Sequence, residues 1–337
     1  MMNRPRLSVI IPTYNRSNYV EHCLRVLQRC GIPRQELEII VADDGSTDDT
    51  AAVVARTDPQ AVYLWQENTG TPSTARNLGF ARSRGRYVAF LDCDDEWLPD
   101  VPGQALDLLD RHPEVDILFA DAWMGNRADG FRSWIEIAGQ NAFCSLPHQE
   151  LESEFRKLER QPFLRRMAER NPVFIGATIL RREVFAGCGG FDPSLRGAAD
   201  WELWLRLSLS VTFGYLNRPL AIYTRHETNM SDNHDHMIHE FCETLQKLLR
   251  NPRLKPDDRD WIEQLWRRQL FYHAYNAFDA GEYDRARPRF RKAIRAGNRQ
   301  ALPLYLACHF PTGVIRGIRR LKQTLASPSL KCSGDRS

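Results

Sequence analysis

Glu38-Ile39-Ile40-Val41-Ala42-Asp43-Asp44-Gly45-Ser46-Thr47-Asp48-Asp49, residues 38–49, reads as a buried strand that stops at a polar turn. The run Ile39-Ile40-Val41 is short, apolar and β-branched, which favours a strand over a helix. The acids and Gly45 that follow are turn formers, and Ser46 with Asp49 predicts a capping box for a helix running to Arg56. The same unit recurs on both sides. Strands are expected at 7–11, 38–42, 61–65, 86–91 and 115–120, with helical stretches between them. That alternation predicts an α/β fold: a mostly parallel, Rossmann-like mixed sheet flanked by helices. Ligands in such sheets collect at the carboxyl ends of the strands, so the polar residues after each strand are expected to converge on one site.

Beyond residue 121 the periodicity weakens, and 122–170 is expected to form loops and short helices over the open side of that site, as an acceptor-side insertion. A strand is expected over 172–180, helices over 182–187 and 200–208, and two strands at 211–215 and 220–224. From about His236 the pattern is helical, and Gly281-Glu282-Tyr283-Asp284-Arg285-Ala286 with Phe290 and Ala293 resembles half of a tetratricopeptide unit. The expected division is a catalytic domain over 1–232 and a helical, basic region over 233–337.

With 337 residues, 42% of them hydrophobic, the chain can bury a sizeable core. Its eight cysteines form no CxxC pair and have no zinc-like spacing to the nine histidines, which suits a reducing cytosol. Neither a signal-peptide pattern nor an apolar run of membrane-spanning length is expected. The net charge of +3 hides an asymmetry, because 285–337 carries 13 Lys or Arg against Asp335 alone, which leaves the rest of the chain acidic. An anionic partner is implied for that end.

Three polar segments carry the chemistry. Phe90-Leu91-Asp92-Cys93-Asp94-Asp95 sets three carboxylates at the end of a buried strand. Mg²⁺ or Mn²⁺ takes one or two carboxylates together with substrate phosphates, so an Asp-x-Asp placed here can hold a metal that neutralises a diphosphate. The bland alternative is a solvated acidic turn. Asp43 and Asp44 can accept hydrogen bonds from a base or ribose edge, or can serve as a turn with a helix cap. The third segment pairs Asn68-Thr69-Gly70 with Thr74-Ala75-Arg76-Asn77 and delivers Arg76 to the same face. There it would make phosphate or base contacts, or a structural ion pair.

Together these segments resemble the inverting glycosyltransferases of family 2, which have the GT-A fold. The resemblance begins at Val9-Ile10-Ile11-Pro12-Thr13-Tyr14-Asn15-Arg16 and takes in 41–48, 75–77 and 90–95. It ends at Gly189-Gly190-Phe191-Asp192, Asp200-Trp201-Glu202-Leu203-Trp204-Leu205-Arg206-Leu207 and Tyr223-Thr224-Arg225-His226. It implies a nucleotide-diphosphate sugar donor, most simply a UDP-sugar, with Mn²⁺ or Mg²⁺. Pro12, Thr13 and Tyr14 would flank the base, Asp43 or Asp44 would contact base or ribose, Arg76 the nucleotide and Asp92 the ribose. Asp94 would be the principal metal ligand, and His226 would lie near the diphosphate or metal. Asp200 would be the general base for the acceptor hydroxyl. The family's Glu before that Asp is Ala199 here, and Glu202 is either its substitute or directed elsewhere. A glycan or lipid-linked acceptor of bacterial envelope or polysaccharide assembly would suit the basic end. That implies a cytoplasmic protein with a peripheral contact on the inner face of the membrane, and no nucleic-acid partner. The rival reading is a non-catalytic sugar-nucleotide binder or assembly scaffold.

Overall fold

The computed structural model describes residues 4–126, 130–137, 145–225 and 234–310. The chain divides into two compact units between Ile262 and Glu263. The first unit opens with β1 (Leu7–Thr13), α1 (Ser17–Leu27), β2 (Leu37–Asp43), α2 (Thr50–Thr57), β3 (Val62–Trp65), α3 (Pro72–Arg82) and β4 (Tyr87–Phe90). It continues through β5 (Glu96–Trp97), α4 (Val101–Arg111), β6 (Ile117–Asn126), β7 (Gly130–Ser133), α5 (Trp134–Ile137), β8 (His148–Glu152), β9 (Phe155–Leu158) and α6 (Arg160–Glu169). Next come β10 (Thr178–Arg181), α7 (Arg182–Ala186), α8 (Ala199–Ser208), β11 (Phe213–Thr224), α9 (His234–Leu249) and the start of α10 (Pro256–Asp279). The second unit holds the rest of α10, α11 (Tyr283–Arg295) and α12 (Ala301–Ala307).

The sheet runs β3-β2-β1-β4-β10-β6-β11-β9-β8, with β5 on β11 and β7 on β6. Its first four strands are parallel. β10 then lies antiparallel between β4 and β6, and β6 and β11 are parallel again. The α/β class and mixed sheet thus agree with the expectation. Every residue of β1 and β2 is buried, as strands covered on both faces require. On the solvent side of that core, Asp107 and Asp110 of α4 hold Arg6 at the entry to β1 at 2.5 and 2.8 Å.

Four local expectations need correction. The helix start after β2 is capped one step away from the expected box. Asp49 is the N-cap of α2 and makes no side-chain cap bond, while Asp48 accepts from Thr50 N–H at 3.1 Å and from Ser17 N–H at 3.1 Å. Ser46 instead accepts from Asn15 N–H at 2.8 Å. The strand expected over 172–180 is only β10, preceded by a 3₁₀ turn at Ile175–Ala177 whose Gly176 carbonyl accepts from the Trp97 indole at 2.7 Å. The two strands expected at 211–215 and 220–224 are one, β11, with register shifts at Pro219, a residue that cannot donate to a ladder and belongs at a bulge. Finally, the described part of 122–170 carries more strand than expected, since β11 pairs with β6 as far as Gly125 and β8 and β9 extend the sheet.

No helix among the described residues is long and apolar enough to cross a membrane. In the second unit, the half-tetratricopeptide reading corresponds to the turn at Gly281 (φ +81°) and to α11, which buries Tyr283, Ala286, Phe290 and Ala293. The basic segment beyond residue 310 lies outside the described residues.

Candidate active site

The carboxyl ends of β1, β2 and β4 open onto one cavity of about 880 Å³. Pro12, Thr13, Tyr14, Asp44, Arg76, Asp92, Asp94 and Asp200 all line it. Eight sequence-selected residues, drawn from positions 12 to 200, therefore share one cavity. His226 lies outside the described residues, whereas its neighbour Arg225 lines the cavity.

The loops behind this wall are tied by short polar side chains. Asn15, at φ +50°, takes up a left-handed conformation that Asn tolerates better than most residues. From there it accepts Thr47 N–H at 2.8 Å and donates its own N–H to Ser46 at 2.8 Å, joining the loop after β1 to the loop after β2. Asp44 accepts from Gln66 Nε2 (2.6 Å), Thr69 N–H (3.1 Å) and Gly70 N–H (3.2 Å), which fixes the 68–70 turn. Asp43 is not on the cavity wall. Its buried carboxylate accepts Ser46 N–H at 2.7 Å and the Tyr63 hydroxyl at 2.6 Å, and burial together with that carboxylate raises the Tyr63 pKa.

Arg76 reaches the wall from α3. Its guanidinium is buried, donates to Asp92 at 2.6 Å and sits 5.4 Å from the centroid of the Phe191 ring. Its Nε makes no hydrogen bond among the described residues. The next residue, Asn77, donates to Phe191 O at 2.9 Å and accepts Phe191 N–H at 2.9 Å, so two motifs 114 residues apart are joined by one amide.

The acidic turn after β4 holds three carboxylates in three settings. Asp92 pairs with Arg76, and Asp94 forms an ion pair with Arg16. Asp95 is buried and accepts Thr224 N–H at 3.3 Å, and desolvation with the carboxylates of Asp92 and Asp94 beside it raises its pKa well above the usual range. Among the described residues no cluster of three or more His, Cys, Asp or Glu side chains forms a ready-made metal cage. A hard divalent cation on a nucleotide does not need one, because one or two carboxylates, diphosphate oxygens and water complete its shell. Asp94 lines the cavity and has the oxygen donors for that role, and a cation bound there would have to share or displace the ion pair with Arg16.

Asp200 stands in the first turn of α8. Part of it faces the cavity, but its carboxyl is set deep among protein atoms, and that desolvation pushes its pKa up to about 6. Arg76 and the Trp201 N–H act against the rise, while Asp92 adds to it. Glu202 is not on the cavity wall. It is held at 2.8 and 3.0 Å by Arg206, which also donates to Gly190 O at 2.7 Å, so Glu202 is directed elsewhere. Two neighbours of Asp200 carry no sequence signal. Asn171 Nδ2 donates to Asp200 Oδ2 at 3.2 Å. Glu240, buried on α9, accepts the N–H groups of Arg196, Gly197 and Ala198, each at 2.8 Å.

Part of the cavity lining is aromatic. Trp134, Phe174 and Tyr223 come from three separate segments and pack with ring centroids 5.4–5.7 Å apart. All three line the cavity.

Comparison with known proteins bears on the family and the fold. An uncharacterized glycosyltransferase of Rickettsia prowazekii is 26% identical over 222 residues, covering 66% of this chain and 64% of that protein. TarS of Staphylococcus aureus, solved as its 1-349 portion in complex with UDP-GlcNAc, superposes with a TM-score of 0.63 at 19% identity, covering 95% of this chain and 91% of that one. The mannosyltransferase PcManGT of Pyrobaculum calidifontis, solved with GDP-Man and Mn²⁺, gives a TM-score of 0.53 at 19% identity, covering 95% and 88%. At such identities the two structures speak for the fold alone. The match to the Rickettsia relative leaves about a third of that protein's own length uncovered. The family description that matches residues 8–185, more than half of the chain, is "Glycosyl transferase family 2", and the protein belongs to that family.

Proposed function

We propose that this protein is an inverting, metal-dependent glycosyltransferase that moves a sugar from a nucleotide-diphosphate sugar, taken here as a UDP-sugar, to an acceptor hydroxyl. The observation that carries this reading is that Asp94 and Asp200 line the same cavity as the nucleotide-end residues Pro12, Thr13, Tyr14, Asp44, Arg76 and Asp92. Donor complexes of two proteins with this fold, one with UDP-GlcNAc and one with GDP-Man and Mn²⁺, support the choice of substrate class.

In this reading Tyr14 and Pro12 bracket the base and Asp44 holds the edge of the 68–70 turn beside the ribose. Arg76 balances the local acids and keeps Asp92 in place. Asp94, with His226 as the second candidate, would hold Mn²⁺ or Mg²⁺, which supplies neutralisation of the departing diphosphate. Asp200 takes the proton from the acceptor oxygen as that oxygen bonds to the anomeric carbon and the bond to the diphosphate breaks. A base with a pKa near 6 is ionised at neutral pH and still basic enough to accept the proton. One displacement inverts the configuration.

In this reading the aromatic part of the cavity lining receives the acceptor. Rings at fixed spacing suit the C–H face of a sugar, which supports a glycan or lipid-linked glycan acceptor in polysaccharide assembly. The basic residues of 285–337 suit an anionic membrane surface, so the protein would work in the cytoplasm, peripherally on the inner face of the membrane.

The test is nucleotide release from a donor panel, with acceptor glycans present, by wild type and Asp200→Asn. Transfer should fall by about 10²–10⁴-fold in the variant while donor affinity stays. Equal transfer by both proteins would remove Asp200 from the chemistry.

A further inference from the structure

We propose that Asn171 is the positioning residue of the site: its amide holds the carboxylate of Asp200 in the orientation and charge state that the base needs. This rests on the reading of Asp200 as base. Position 199, where the family pattern has Glu, is Ala and offers no polar side chain, so beyond the Trp201 and Asp200 N–H groups of α8 itself, a side-chain partner that orients Asp200 comes from outside the helix.

The amide is assigned by its own hydrogen bonds. Val173 N–H can only donate, and it points at Asn171 Oδ1 at 3.0 Å. Nδ2 is therefore the atom facing Asp200 Oδ2 at 3.2 Å. The flipped amide would set oxygen against carboxylate and NH₂ against N–H, two repulsive contacts in place of two bonds. The segment that carries Asn171 is fixed as well. Pro172 restricts the backbone of the residue before it, and Pro172 O accepts from the Trp134 indole at 3.2 Å. On the other side of the contact, the carboxylate of Glu240 takes three successive N–H groups just ahead of α8 and sets where that helix begins. Donor and acceptor are thus each held by bonds that do not involve the other.

The charge logic is specific. Arg76 from α3 and Asp92 from the turn after β4 act on Asp200 with opposite signs. Glu169 and Arg170, next to Asn171 in sequence, also line the cavity, and Glu169 accepts from Arg166 at 3.4 Å. Beside these charges a neutral donor favours the ionised carboxylate without cancelling its charge, as a second cation would. Asn therefore steadies the base and leaves it able to take a proton.

The experiment is a ¹³C-carboxyl NMR titration of the full chain labelled at Asp, with the Asp200 signal identified by its loss in Asp200→Asn, and donor turnover measured beside it. In Asn171→Ala the Asp200 midpoint should rise by roughly one unit, since a hydrogen bond to a charged group is lost. The acid limb of kcat should rise with it, and donor KM should stay at the wild-type value. Asn171→Ser keeps an acceptor for Val173 N–H but is too short to reach Asp200, so it should reproduce both shifts even if Asn171→Ala folds poorly. An unchanged midpoint in folded Asn171→Ser would overturn the proposal. Failure of the base reading looks different: Asp200→Asn would keep transferring sugar, whether or not the Asp200 midpoint moves in the Asn171 variants.

Discussion

The guanidinium of Arg76 donates to the carboxylate of Asp92 at 2.6 Å from a buried position, and its charge also reaches Asp200. One cation thus serves two acids of the site. Replacing it in Arg76→Leu should raise the Asp200 pKa above its present value near 6, because the largest opposing influence on desolvation is gone. The variant should also lose about 1–3 kcal/mol of stability, the usual range for a lost hydrogen bond to a charged group. Urea unfolding at neutral pH reads the second effect and the acid limb of donor turnover reads the first.

Asp200 itself should make stability depend on pH in a defined direction. Its folded pKa, about 6, is raised above the ordinary carboxylate value, so the folded state binds the proton more tightly than the unfolded chain. That contribution is fully present below about pH 4, declines as pH rises, and is gone above the folded value. Asp200→Asn removes the cost of ionising a desolvated acid. It should therefore raise Tm relative to wild type at pH 7 and have little effect at pH 4. A variant that is less stable at pH 7 would contradict the desolvation.

Gly190 is a backbone requirement. It has φ +80°, and a Cβ there would lie 2.6 Å from the Asn77 side-chain oxygen that holds Phe191 N–H. Gly190→Ala should cost about 1–3 kcal/mol, combining a strained φ with a displaced amide. Thermal unfolding checks the cost. Gly189→Ala is the comparison, since its φ is +85° but open space surrounds its Cβ position, and it should cost less.

Glu240 accepts three successive backbone N–H groups in the turn before α8. Glu240→Ala should therefore speed amide exchange at Arg196, Gly197 and Ala198 and lower kcat more than donor affinity. Hydrogen-exchange mass spectrometry over 190–205 reads the first effect, and unaltered exchange there would rule out the clamp.

Much of this fold is legible in the sequence, and the reasons are local. β1, β2 and β4 are short apolar runs ended by polar turns, so pattern alone locates them. β11 looks like two strands in sequence because Asn217-Arg218-Pro219 interrupts the apolar pattern, and only pairing to β6 carries the strand through it. In the site, Asp44 and Asp43 are neighbours with different surroundings, since Asp43 is the last residue of β2 and Asp44 opens the turn after it. Asn171 and Glu240 gave no signal. Their partners are 29 and 42–44 residues away, and such contacts leave no spacing rule in a single sequence.

The measurement that bears most directly on the nucleotide-sugar reading is calorimetry of UDP, GDP, dTDP and CMP sugars, with and without Mn²⁺, against wild type and Asp94→Ala. One nucleotide class, expected to be UDP, should bind wild type in a Mn²⁺-dependent manner, and Asp94→Ala should abolish that dependence. Binding of no nucleotide sugar under any condition would contradict a donor site at this cavity, and Mn²⁺-dependent binding that survives Asp94→Ala would contradict Asp94 as the metal's anchor.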